Sequence, residues 1–116
     1  MEEKTDQRKR IEWEGSTYKD LCAAPKEVRR QAGYELLQVQ YGQEPSDWKP
    51  MNTVGKGVKE IRIHTNNEYR VLYVAKFTDA IYVLHVFPKK TQKTLKHDLE
   101  LARKRYQDVI KQRRGK

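Results

Sequence analysis

At 116 residues, the chain is long enough for one modest core and too short for two. Charged residues make up 35% and hydrophobic ones 36%, and the latter are clustered, which fits a small soluble domain rather than a disordered chain. No apolar run approaches the roughly 18 residues of a membrane span, and the single cysteine excludes an internal disulfide.

In chain order, residues 1–9 are polar and of mixed charge and read as a flexible arm; the start, MEEKTDQRKR, lacks the apolar centre of a signal peptide. Together with the lone Cys22, read as a small core residue, this suggests a reducing cytoplasm. Arg10–Glu14 alternates and reads as a short half-buried strand stopped by Gly15 and Ser16. Thr17–Ala24 fits a turn or two of helix. Pro25 suits the first position of a longer helix, in which Val28, Ala32, Leu36 and Val39 form one apolar stripe and Gly42 is the stop. Residues 44–57, with two Pro and two Gly, read as a loop pinned by Trp48 and Met51.

Three runs rich in Val, Ile, Tyr and Phe follow: Val58–His64, Tyr69–Lys76 and Ala80–Phe87. Turns between them are short, so they pair as an antiparallel meander. In the first run Ile61 and Ile63 alternate with Arg62 and His64; the third is almost continuously apolar and should be the most buried. After Pro88 comes Lys89-Lys90-Thr91-Gln92-Lys93-Thr94. Thr94 can cap a basic helix reaching about Arg113, with Leu95, Leu99, Ala102, Tyr106 and Val109 or Ile110 as its apolar stripe. The expected fold is α+β: a small, antiparallel-rich twisted sheet of about four strands, N-terminal helices on one face, and a C-terminal helix.

The formal charge of +9 is uneven, with eleven Lys/Arg against three Asp/Glu in residues 89–116 and fourteen against thirteen before them. A basic C-terminal quarter on a nearly neutral body suits a polyanion. His64, His85 and His97 lack partner cysteines, there is no metal-protease spacing, and Gly55-Lys56-Gly57 lacks the spacing of a phosphate loop, so it reads as turn chemistry. What remains is a cluster: Arg62, His64, Arg70, Lys89, Lys90 and Lys93. A two-residue Asn66-Asn67 turn would pair Arg62 with Val71. A three-residue loop, Asn66-Asn67-Glu68, pairs His64 with Arg70 and puts Arg62, His64 and Arg70 on one face. The second is preferred, because an arginine buried unpaired costs several kcal/mol. Alternatively, Arg62 and Arg70 simply form cross-strand ion pairs with Glu60 and Glu68.

One succession of residues is more specific. Pro25 is followed by Val28-Arg29-Arg30, Gly33, Leu37 and Gly42, then by Lys49-Pro50 and Gly55-Xaa-Gly57-Val58-Xaa-Glu60-Ile61-Arg62. Tyr69-Arg70-Val71-Leu72-Tyr73 comes next, and last Phe87-Xaa-Lys89-Lys90-Thr91-Gln92-Lys93-Thr94. Over about residues 17–105 this resembles the RelE/HigB-like toxins of bacterial toxin–antitoxin pairs, in the branch first noticed among phage-derived proteins. The resemblance implies a small ribonuclease that enters the ribosomal A site and cuts the messenger there. Such cleavage uses the RNA 2′-hydroxyl as nucleophile and needs no cofactor or metal. It also implies a helix-turn-helix (HigA-like) antitoxin as partner. On that resemblance the catalytic set is Arg62, His64, Arg70, Lys90 and Lys93. Arg62 and Arg70 stabilise charge on phosphorus, His64 is the candidate base, its pKa of about 6.5 pushed down by neighbouring cations, and Lys90 or Lys93 is the acid. Lys89, Lys96, Arg103 and Lys104 are the phosphate-binding set. Two other functions stay open: a ParE-like gyrase poison of the same fold, and a non-catalytic nucleic-acid-binding phage accessory protein.

Overall fold

The structure, a computed structural model, describes residues 8–115, so most of the expected N-terminal arm lies outside the described residues. Lys9 is already tied down: its backbone N–H donates to Gln40 O at 2.9 Å and its ammonium to Ala75 O at 2.9 Å. The elements are β1 (Arg10–Trp13), α1 (Thr17–Cys22), α2 (Lys26–Gln40), β2 (Trp48–Pro50), β3 (Val58–His64), β4 (Glu68–Val74), β5 (Ala80–Pro88) and α3 (Lys96–Arg114). The strands form one sheet in the order β1-β5-β4-β3-β2, with β1 parallel to β5 and the other pairs antiparallel.

The sheet has a different layer on each face, because successive side chains of a strand point to opposite sides. On one side Leu21, Ala24, Val28, Ala32, Leu36 and Val39 of the α1–α2 segment pack on Ile61, Ile63, Val71, Tyr73, Ile81 and Val83. On the other, Ala102 and Val109 of α3, with Leu99 and Tyr106 partly buried, pack on Val58, Leu72, Val74, Tyr82 and Leu84. The expected apolar stripe of α2 is buried throughout, and Gly42, at φ +85°, follows its C-terminus as a stop should.

Several local expectations are corrected. Residues 44–57 are not all loop, since Trp48–Pro50 forms a fifth, edge strand paired with Lys59–Ile61. Glu35 anchors the approach to it: fully packed on α2, its carboxylate accepts from Ser46 N and Gln31 Nε2, both at 2.8 Å. The helix after the basic loop is capped by Leu95 rather than Thr94, with no side-chain cap bond. Leu95 is half exposed instead of docking on the sheet. Cys22 is exposed at the end of α1, where Leu21 takes the inward position. Gly55 and Gly57 are turn residues with distinct reasons. A Cβ at Gly55 would run into the Tyr106 ring, whereas Gly57 sits at φ +87°.

Candidate nucleic-acid interface

Register decides which cations meet. Arg62 lies directly opposite Arg70, Ile63 opposite Tyr69, and His64 opposite Glu68, so the hairpin loop is Thr65-Asn66-Asn67. That is neither loop expected above, yet the consequence is the favoured one, because Arg62, His64 and Arg70 share the α3 side of the sheet. The loop starts one residue early because Thr65 closes it: its hydroxyl donates to Asn67 O at 2.9 Å and accepts from Asn67 N at 3.0 Å.

Helix α3 runs along β5 and leaves the β3–β2 end of this face without a covering helix. There Glu60, in phase with Arg62 and His64 on β3, is fully buried. Arg62 Nε lies 3.6 Å from its carboxylate, Arg70 Nε 3.8 Å and Lys49 Nζ 4.0 Å. The ion-pair alternative is thus realised in part, and Arg70 NH1 also donates to Glu68 Oε1 at 3.1 Å. The two arginines are not equally available, with 35% of the Arg62 side chain exposed and 11% of that of Arg70.

Beyond β5 the chain stays in register for one more residue, since Lys89 N donates to Glu68 O at 2.7 Å. The Lys89 backbone is therefore held rather than loose. Burial, then the charge of Arg70, push its ammonium pKa down; Glu60 pushes the other way. Lys89 and Lys93 line two adjoining hollows. One, of about 490 Å³, reaches across to Lys49–Thr53 and Leu99; the other, of about 210 Å³, runs past Lys90 to His97 and Asp98. Lys90 and Lys93 are exposed on the walls. Of the α3 cations, Arg103 donates to Thr53 O at 2.8 Å beside the larger hollow. Lys96 pairs with Glu100 at 3.9 Å, and Lys104 with Asp108 at 3.5 Å, along the helix surface.

His64 is a correction in sign. Its neighbours are carboxylates: Nδ1 lies 2.9 Å from Glu68 and Nε2 2.6 Å from Asp47. Glu68, then Asp47, raise its pKa, opposite to the downward push expected from neighbouring cations. Both ring nitrogens face carboxylates in this arrangement.

Sequence reading named Glu60 as an ion-pair partner of the arginines but did not place it, Lys49 or the His85–Asp98 pair in the site. A register slip at Leu72/Tyr73 pairs Leu72 with His85 and Tyr73 with Val83. Leu84 and His85, adjacent in the chain, therefore both meet α3. His85 Nε2 lies 2.7 Å from Asp98 Oδ1, and burial pulls the histidine pKa down. Glu60 had a signal in its two-residue spacing from Arg62; Lys49 had none. Among the described residues no group of three or more His, Cys, Asp or Glu is gathered where it could hold a metal ion.

Residues 19–107 match the family described as Phage derived protein Gp49-like (DUF891). The chain belongs to that family. It thereby falls in the RelE/HigB-like toxin superfamily, consistent with a toxin-like RelE-type protein whose kind works with an antitoxin. A search of curated proteins gives no match. The matched span of this Gp49-like chain takes in both arginines, Lys49, Glu60 and the lysine loop. No helix among the described residues is long and apolar enough to cross a membrane.

Proposed function

We propose that this Gp49-like protein is the toxin of a type II toxin–antitoxin pair and cleaves mRNA in the ribosomal A site through the RNA's own 2′-hydroxyl. The observation that carries the reading is the side-by-side placement of Arg62 and Arg70 at the uncovered end of the sheet, with Lys49 and Lys89 beside them. In-line attack of a 2′-oxygen builds charge on the phosphoryl oxygens. Planar guanidiniums held in place before the reaction lower that barrier by about 10²–10³-fold per donor. Arg62, the more exposed, is the phosphate ligand, and Arg70 backs it.

Lys89 takes the proton from the 2′-hydroxyl, since a lysine with a lowered pKa offers more neutral amine near pH 7. Lys90 and Lys93, on the exposed wall, protonate the leaving 5′-oxygen. His64 gives electrostatic support at the hairpin and does not act as the base. Lys96, Arg103 and Lys104 extend the field along α3 and draw in the RNA backbone. The partner is a helix-turn-helix, HigA-like antitoxin, whose inhibitory segment is acidic and apolar to match the groove.

Induction in a bacterium, following translation and DNA replication in parallel and mapping new mRNA 5′ ends, tests the reading. The expected result is early translation arrest with cuts in ribosome-bound messages, absent for Lys89→Arg, which keeps the charge but cannot shed its proton. Replication arrest with intact mRNA would instead mark a gyrase poison. Salt-steep RNA binding without toxicity would mark an accessory binding protein.

A further inference from the structure

Glu60 is an anomaly that the reaction does not explain. Its side chain is wholly buried, and neither carboxylate oxygen has a hydrogen-bond partner within the protein. The Nε atoms of Arg62 and Arg70 are also buried without a hydrogen bond, though both face the same carboxylate at 3.6 and 3.8 Å. A charge removed from water in this way persists only where opposite charges surround it. Here they do: Arg62 on its own strand, Arg70 on β4, Lys49 on β2 and Lys89 after β5 all lie around it.

The arrangement also answers a second question. Arg62 and Arg70 are directly opposed across an antiparallel pair, a position where like charges repel. Something must hold them together. At zero exposure Glu60 cannot touch an RNA hydroxyl, which excludes it as the base and leaves action through its neighbours.

We infer that Glu60 is a positioning residue, the internal counter-ion that holds Arg62 and Arg70 side by side at the groove before any phosphate arrives. Two carboxylates, Glu60 at the centre and Glu68 on the outer side of Arg70, against four cations still leave a surplus of positive charge, so the cluster keeps its attraction for phosphate while losing the repulsion that would splay the arginines. The Glu60 charge also pushes the Lys89 ammonium pKa up, against burial first and then Arg70, Lys49 and Arg62, which push it down. The catalytic part of the inference rests on the cleavage reading above; the ordering of the arginines does not.

The test is Glu60→Gln, which keeps shape and removes charge. Expected are loss of dispersion of the Arg62 and Arg70 Nε–H resonances, with β3 and β4 backbone amides unchanged, and a Lys89 ammonium that titrates lower than in the parent. Binding of an RNA oligonucleotide should be as tight or tighter, with a steeper salt dependence. Turnover on ribosome-bound mRNA should fall by about 10²-fold, the cost of misplacing a reacting group by about 1 Å. Unchanged Nε–H resonances would overturn the inference whatever the activity. Lost arginine order in a protein whose parent cuts no mRNA would uphold the counter-ion and sink the nuclease. Should Glu60→Gln not fold, the double variant Glu60→Gln/Arg62→Gln, relieved of one cation, should fold. If it also fails, Glu60 serves only to maintain the fold.

Discussion

The two faces of the sheet are built on opposite principles, and strand β3 contributes to both. Towards α2 it sends Ile61 and Ile63, both fully buried in an apolar layer closed by two helices. Towards α3 it sends Glu60, Arg62 and His64, and on that side also lie the buried Arg70, His85 and Asp98. A single helix lies over the second face, along β5, so its far end has room for water, for uncompensated charge and for a ligand. The lesson is one of division of labour: the closed face supplies stability, and the half-covered face uses some of it to keep polar groups in position.

The largest effect should therefore come from the closed face. Ile61→Ala removes a side chain with zero exposure and should cost about 2–5 kcal/mol. The denaturation midpoint should fall at unchanged slope, while cleavage per folded molecule stays as in the parent. A selective loss of cleavage would break the comparison, since it would tie the apolar layer to the chemistry.

Arg62→Ala on the open face should behave in reverse. Its side chain is one-third exposed, so the fold should survive with a smaller loss of stability than in Arg70→Ala, although Glu60 loses its nearest cation, while turnover falls by about 10²-fold, equivalent to about 2.7 kcal/mol. Primer-extension mapping of mRNA ends beside a thermal melt separates the two. Arg70→Ala should lose turnover and stability together, because it strips the buried Glu60 of a close cation.

Much of this plan was legible in the amino-acid order. The bounds of β3 and the buried stripe of α2 follow from periodicity, and the shared face of Arg62, His64 and Arg70 follows from the cost of burying an arginine alone. The rest depended on partners distant in the chain. Strand β2 is three residues long and ends in proline, too short to show alternation, and without it Lys49 has no address. His64 reads as a free base until Asp47, supplied by the segment before β2, closes on it. The order of residues names Glu60 as an ion-pair partner of the arginines, but not its full burial with Lys49 as a further cation.

A third effect, smaller, concerns how the two faces are coupled. Glu35 belongs to α2, yet through Ser46 it fixes the segment that delivers Asp47 and Lys49 to the opposite side. Glu35→Ala should cost about 1–3 kcal/mol, by leaving Ser46 N–H and Gln31 without their acceptor. Amide hydrogen exchange should then accelerate first along β2 and the start of β3. Equal acceleration in α1 and β1 would show that Glu35 supports the whole layer rather than this one connection.

The smallest effect lies at the tip of the open face and depends on pH. Glu68, then Asp47, raise the pKa of His64, and His64, then Arg70, lower that of Glu68. The folded histidine pKa lies above its unfolded value of about 6.5. Its contribution is therefore complete below that value and disappears as pH rises through the folded pKa. The folded carboxylate lies below its ordinary 4.5, so its contribution is complete above 4.5 and disappears as pH falls through the folded pKa. Both are present together between about pH 4.5 and 6.5. Roughly half of the His64 side chain is exposed, so solvent screening limits the pair to at most about 1 kcal/mol. His64→Gln should accordingly lower stability slightly at pH 5.5 and progressively less towards pH 9. In the parent, the His64 ring should titrate above 6.5 by NMR, and Glu68→Gln should bring it down further than Asp47→Asn does. A ring that titrates below 6.5 would mean that the cations of the cluster, rather than these two carboxylates, govern it, and would return His64 to the role of base.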